Sequence, residues 1–122
     1  MQRYSQEELQ KALKVVSSSI SRCEKMQPKF REGTPQHSLL RNRIKALEIS
    51  KCLLVDDNNN IQAYTIDDLE KALAPVISII NKTEKAQSKY EKGSIQYKRF
   101  SPSIEAMYIV KSLITDELSK RE

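Results

Sequence analysis

The chain has no tryptophan, one histidine and only two glycines in 122 residues. So few glycines leave little material for the repeated tight turns of a sheet sandwich. A content of 30% charged and 39% apolar residues suits amphipathic helices instead. No run of about 18 apolar residues occurs, which excludes a membrane-spanning helix. The opening Met1-Gln2-Arg3-Tyr4-Ser5-Gln6-Glu7-Glu8 turns acidic where a signal peptide needs an apolar stretch, so the chain reads as cytoplasmic. His37 stands without a Gly-rich phosphate loop, a Ser-x-Gly elbow or His/Cys metal spacing. No catalytic residue, metal site or cofactor is therefore expected, and the chain does not read as an enzyme. Cys23 and Cys52 are too far apart within one helical hairpin for a disulfide, which needs Cα atoms within about 7 Å, so both are expected to be free thiols.

What is present is self-similarity. Shifted by 60 positions, Tyr4–Asp56 falls on Tyr64–Asp116 without a gap, with 20 identities in 53 positions. Such a period marks a duplicated supersecondary unit whose copies bury each other's apolar faces. One domain over residues 1–122 is expected, with repeat one at 4–56, a linker at 57–63 and repeat two at 64–116.

Each copy opens with a helix-start signature. Ser5 with Glu8 forms a capping box, and Thr65 with the shorter Asp68 a weaker one; Tyr4–Leu9 and Tyr64–Leu69 add hydrophobic staples. Leu9, Leu13, Val16, Ile20 and Cys23 then follow helical periodicity, matched by Leu69, Leu73, Val76, Ile80 and Thr83, with Leu13 and Leu73 mid-stripe. Gly33 and Gly93 read as left-handed residues that end the long helices. Thr34-Pro35 restarts the chain as cap and first helical residue. Pro75 should bend its helix or shift its start, and Ser101-Pro102 should break the last helix, leaving 94–100 as a separate short turn. The expected helices are 5–32, 35–54, 65–92 and 102–120. The fold class is all-α: a tandem duplicated αα-hairpin folded as an up-down-up-down four-helix bundle.

The linker Val55-Asp56-Asp57-Asn58-Asn59-Asn60-Ile61-Gln62-Ala63 reads as a polar loop; Ile61 occupies the position at which a calcium loop needs glycine. Gln27 and Gln87 interrupt the apolar stripe at matching places. Either the stripe turns to solvent there, or the amides pair across the seam. Lys51 and Lys111 lie at the edge of the second-helix apolar faces and should cover core with their stems.

Charge is unevenly spread. Residues 22–45 carry seven Lys/Arg against two Glu and residues 82–105 six against three, so the two hairpin tips total +8 and the remainder −3. An up-down-up-down bundle puts both tips at one end. That end can attract an acidic protein, nucleic acid or anionic lipid, and lysines near helix C-termini also complement the dipole with no ligand at all. The candidate binding residues are Lys25, Lys29, Arg31, Arg41 and Arg43 from one tip and Lys85, Lys89, Lys92 and Arg99 from the other. Phe30, Tyr90, Tyr97 and Phe100 are the aromatics nearby that stacking on bases would use.

The doublet Glu24-Lys25-x-Gln27-x-Lys29-Phe30-x-x-Gly33-Thr34 and its copy from Glu84 carry no enzyme signature. The chain as a whole resembles small uncharacterised cytosolic proteins of Bacillus-type bacteria built from basic tandem helices. That resemblance implies no activity and no functional residue. The reading of the residues is a non-catalytic protein-interaction module with an unknown protein partner, acidic in character, and no membrane partner. The alternative is anion or nucleic-acid binding by the basic end.

Overall fold

A computed structural model describes residues 4–121. Four long helices, α1 (Gln6–Met26), α2 (Pro35–Leu54), α4 (Ile66–Gln87) and α5 (Ile95–Lys120), run up, down, up and down; α3 (Asn58–Ile61) is one turn in the linker. No strand occurs among the described residues. Around the bundle the long helices neighbour one another in the order α1, α2, α4, α5, and α5 closes back on α1. α2 and α5 also meet across the middle, whereas α1 and α4 do not. The small residues Ala46 and Ser50 on α2 and Ala106 on α5 are buried. The Ser50 hydroxyl donates to the Ala46 carbonyl at 2.8 Å, so no polar atom is stranded there.

The core is contributed evenly. Leu9, Ala12 and Val16 from α1 and Leu69, Ala72 and Val76 from α4 are buried, as are Leu47 and Ile49 on α2 and Met107, Val110 and Ile114 on α5. Leu13 and Leu73 pack on the flank of this cluster, half-exposed, because the stripe centres one residue earlier on Ala12 and Ala72. The expectation that they lie mid-core is corrected accordingly.

Local chemistry sets the starts. Ser5 Oγ accepts from the Glu8 amide at 3.1 Å while Glu8 Oε1 accepts from the Ser5 amide at 3.0 Å. Thr65 and Asp68 close the same reciprocal box at 3.1 and 2.9 Å, so the shorter carboxylate caps just as fully. Thr34 and Ser94 cap α2 and α5 by accepting from the His37 and Tyr97 amides.

The ends differ from expectation. α1 stops at Met26, and Pro28 lies in a single 3-10 turn, Gln27–Lys29; α4 stops at Gln87. Gly33 and Gly93 have φ of 91° and 86° but are not helix caps. Each is the third residue of a four-residue turn, closed by Thr34 N–H to the Arg31 carbonyl and by Ser94 N–H to the Glu91 carbonyl, both at 3.1 Å. A turn with positive φ at its third position requires glycine-like freedom. The left-handed residue that does end a long helix is Asp56, φ 55°. Asp57 N–H reaches the Cys52 carbonyl at 2.9 Å and Asp56 N–H the Leu53 carbonyl at 3.3 Å, the paired bonds of a Schellman motif.

Neither proline breaks its helix. α4 begins at Ile66 and runs through Pro75, and α5 is continuous from Ile95 through Pro102. The turn before Pro102 is held from outside. Gln87 on α4 donates its Nε2 to the Tyr97 carbonyl at 2.9 Å and to Ser101 Oγ at 3.3 Å. Ser101, expected to cap a new helix, is thus a partner in an interhelical clamp, and Gln87 pairs across the seam. The linker is not wholly polar either: α3 is capped by Asp57 and buries Ile61 in the core.

Candidate binding surface

The loop between α1 and α2 and the loop between α4 and α5 lie at the same end of the bundle, and the linker lies at the other. Of the nine candidate cations, Lys25, Lys29, Arg31, Arg41, Lys85, Lys89, Lys92 and Arg99 are exposed at or near that tip end. None of their side chains forms an ion pair or hydrogen bond among the described residues. The ion pairs among the described residues lie away from the tip loops: Lys11–Glu7 at 3.3 Å, Lys45–Asp68 at 2.8 Å from the middle of α2, Lys71–Asp67 at 2.9 Å and Arg121–Glu117 at 3.0 Å.

Arg43 departs from the other eight. It is half-buried, and its Nε and Nη2 are enclosed with no hydrogen-bond partner. Its guanidinium acts electrostatically on the Cys23 thiol. Burial nevertheless wins there and pushes that thiol up from its ordinary value; Arg43 and Arg22 only partly oppose it. Cys52 is likewise raised, by burial and then by Asp57. Both cysteines are free, and neither is an activated nucleophile. His37 Nδ1 is enclosed without a partner. No group of three or more His, Cys, Asp or Glu residues is arranged to hold a metal ion among the described residues. No helix among the described residues is long and apolar enough to cross a membrane.

The candidate aromatics are largely occupied. Tyr90 stacks on Phe100 with ring centroids 5.9 Å apart, and Phe30 packs against the core cluster. What charge counting misses is apolar exposure at the same end. Ile95, the first residue of α5, is 71% exposed, and Met26, the last of α1, 46%. The signal was in the sequence, an isoleucine directly after a serine cap, but a periodicity search discards residues that fall off the stripe.

The linker end is organised by contacts that pattern alone does not suggest. Arg121 donates from Nη2 to the Ile61 carbonyl at 2.8 Å, from Nη1 to the Tyr64 carbonyl, and from Nε to Glu117. Arg121 and Glu117 side chains are only 16% and 11% exposed. Asp68 accepts from Lys45 Nζ and from the Thr65 amide, and these bonds hold its carboxyl at about 2. On the bundle's sides, two grooves occupy matching places 60 residues apart. One runs past Asp68, Lys71 and Ala72 beside α2, and the other past Glu8, Lys11 and Ala12 beside α5. The chain matches no protein-family model, no curated protein and no solved structure.

Proposed function

We propose that this protein is a non-catalytic interaction module of the cytoplasm whose working surface is the basic end of the bundle. One observation carries the reading: eight of the nine candidate cations are exposed and unpaired, while the ion pairs among the described residues lie away from the tip loops. The helix dipole accounts for Lys25 and Lys85 in the last turns of α1 and α4, but not for Arg31, Lys89 and Lys92 in the loops or for Arg41 and Arg99 in the first halves of α2 and α5. The partner accordingly presents negative charge. Protonated thiols at Cys23 and Cys52, and a lone histidine without an orienting group, support the non-catalytic part. The self-match at an offset of 60, with caps and turns repeating at that offset, supports a duplicated hairpin that doubles the charge at one end.

The test is salt-dependent retention on poly-glutamate. Wild type should be held at low salt and released steeply as salt rises. Replacing Lys29, Arg31, Lys89 and Lys92 by Gln should abolish retention, whereas replacing Lys11, Lys14, Lys71 and Lys120 should leave most of it. Equal loss in both variants would mean that net charge alone matters and would remove the basic end as a defined surface.

A further inference from the structure

We propose that the basic end docks end-on to an anionic lipid surface, with Ile95 and Met26 entering the boundary between headgroups and acyl chains. This rests on the reading of the basic end as the working surface, and it names the partner.

Three features of that end favour a membrane over the other polyanions. The first is apolar projection: Ile95 and Met26 flank the two tip turns among unpaired cations. Side chains of this kind gain by leaving water, and a bilayer interface lets them do so without a shaped pocket. The second is that lysine dominates the exposed cations, with Lys25, Lys29, Lys85, Lys89 and Lys92 against three arginines. Lysine is a strongly hydrated point charge that is depleted from protein–protein interfaces, whereas a diffuse field of phosphates and carboxylates attracts it without desolvation. The third is the occupation of the aromatics. Tyr90, 43% exposed, already has one face stacked on Phe100, Tyr97 is half-buried and Phe30 packs inward, so few ring faces are left for unpaired bases. The charge separation, +8 at the tips against −3 elsewhere, turns the tip end toward a negative surface before contact.

The experiment is co-sedimentation of the full chain with vesicles of phosphatidylcholine alone and with vesicles in which about a third of the lipid is phosphatidylserine, run beside poly-glutamate and a short DNA duplex. Binding to the phosphatidylserine vesicles, and not to phosphatidylcholine alone, is expected. The double variant Ile95→Ser, Met26→Ser keeps every charge and touches no buried residue. It should weaken vesicle binding on the order of tenfold or more while leaving poly-glutamate retention unchanged. Each of Lys29→Gln, Lys89→Gln and Lys92→Gln should weaken it about fivefold. Full vesicle binding by the serine variant would reduce the interaction to Coulomb attraction and overturn the insertion. Retention on poly-glutamate with no vesicle binding would overturn the membrane proposal and leave the docking reading standing. Tighter binding to the duplex than to the vesicles, unaffected by the serine substitutions, would give the surface to nucleic acid. Failure on every polyanion would remove both readings.

Discussion

At the linker end Lys45 reaches Asp68 at 2.8 Å and Arg121 reaches Glu117 at 3.0 Å; at the tip end Lys25, Lys29, Lys89 and Lys92 reach no carboxylate. Both ends are made of the same materials: a helix end, a short connection, a capped helix start. They differ in what their polar groups meet. The linker connection carries a buried isoleucine, a Schellman motif and a guanidinium that satisfies two carbonyls. The tip connections are held by local turn bonds between residues three apart, and their lysine and arginine side chains face water. One end closes the fold, and the other is left available.

The sharpest way to break this contrast is to shorten an isoleucine at each end. Ile61→Ala should cost about 2–5 kcal/mol in urea denaturation, since its side chain is removed from a packed core. Ile95→Ala should change stability by no more than about 0.5 kcal/mol. Similar costs at the two positions would mean that the tip is as structural as the linker.

Arg43 gives a second test, because it is the one tip cation drawn inward. Its enclosed Nε and Nη2 have no partner, so Arg43→Met, of similar length and apolar, should raise stability by about 1 kcal/mol. A clear loss of stability would show that the guanidinium supports the fold, and Arg43 would then belong with the linker-end cations.

The smallest effect concerns pH. The hydrogen bond from Lys45, followed by that from the Thr65 amide, lowers the Asp68 carboxyl from the usual 3.8 to about 2. A carboxyl depressed on folding stabilises above its unfolded value, and that contribution fades as pH falls toward the folded one. Stability should therefore decline between about pH 4 and pH 2, and Asp68→Asn should decline less over that window. Four tip lysines changed to Gln should leave this acid limb as it is. An unchanged limb in Asp68→Asn would show that the Lys45 contact is not held in solution.

Much of this contrast could be read from residues before any coordinates. Ser5–Glu8 and Thr65–Asp68 announce helix starts through contacts three residues apart, which is why they were legible. The grouping of cations into two tips was legible as well, because two successive helical hairpins place both tips at one end of a bundle. The missed features depend on groups distant in sequence. Pro102 is accommodated beside an amide from Gln87, and Arg43 is enclosed by a neighbouring helix. Asp56 ends α2, while its counterpart Asp116, at the same offset and of the same residue type, lies inside α5. No local rule separates those two aspartates. Whether a lysine has a carboxylate beside it is likewise a property of three dimensions, and the unpaired state of the tip could not be read from spacing.

The Arg121 clasp has a consequence in time. Its bonds to Tyr64 and Ile61 join residues separated by 57 and 60 positions, so they form only once α4 and α5 have paired along their whole length. A contact that closes last, at the open end of a hairpin, is expected to have little share in the folding transition state. Such contacts leave the folding rate nearly unchanged and slow unfolding instead. The clasp thus acts as a latch that sets how long the assembled bundle persists, independently of how fast it assembles.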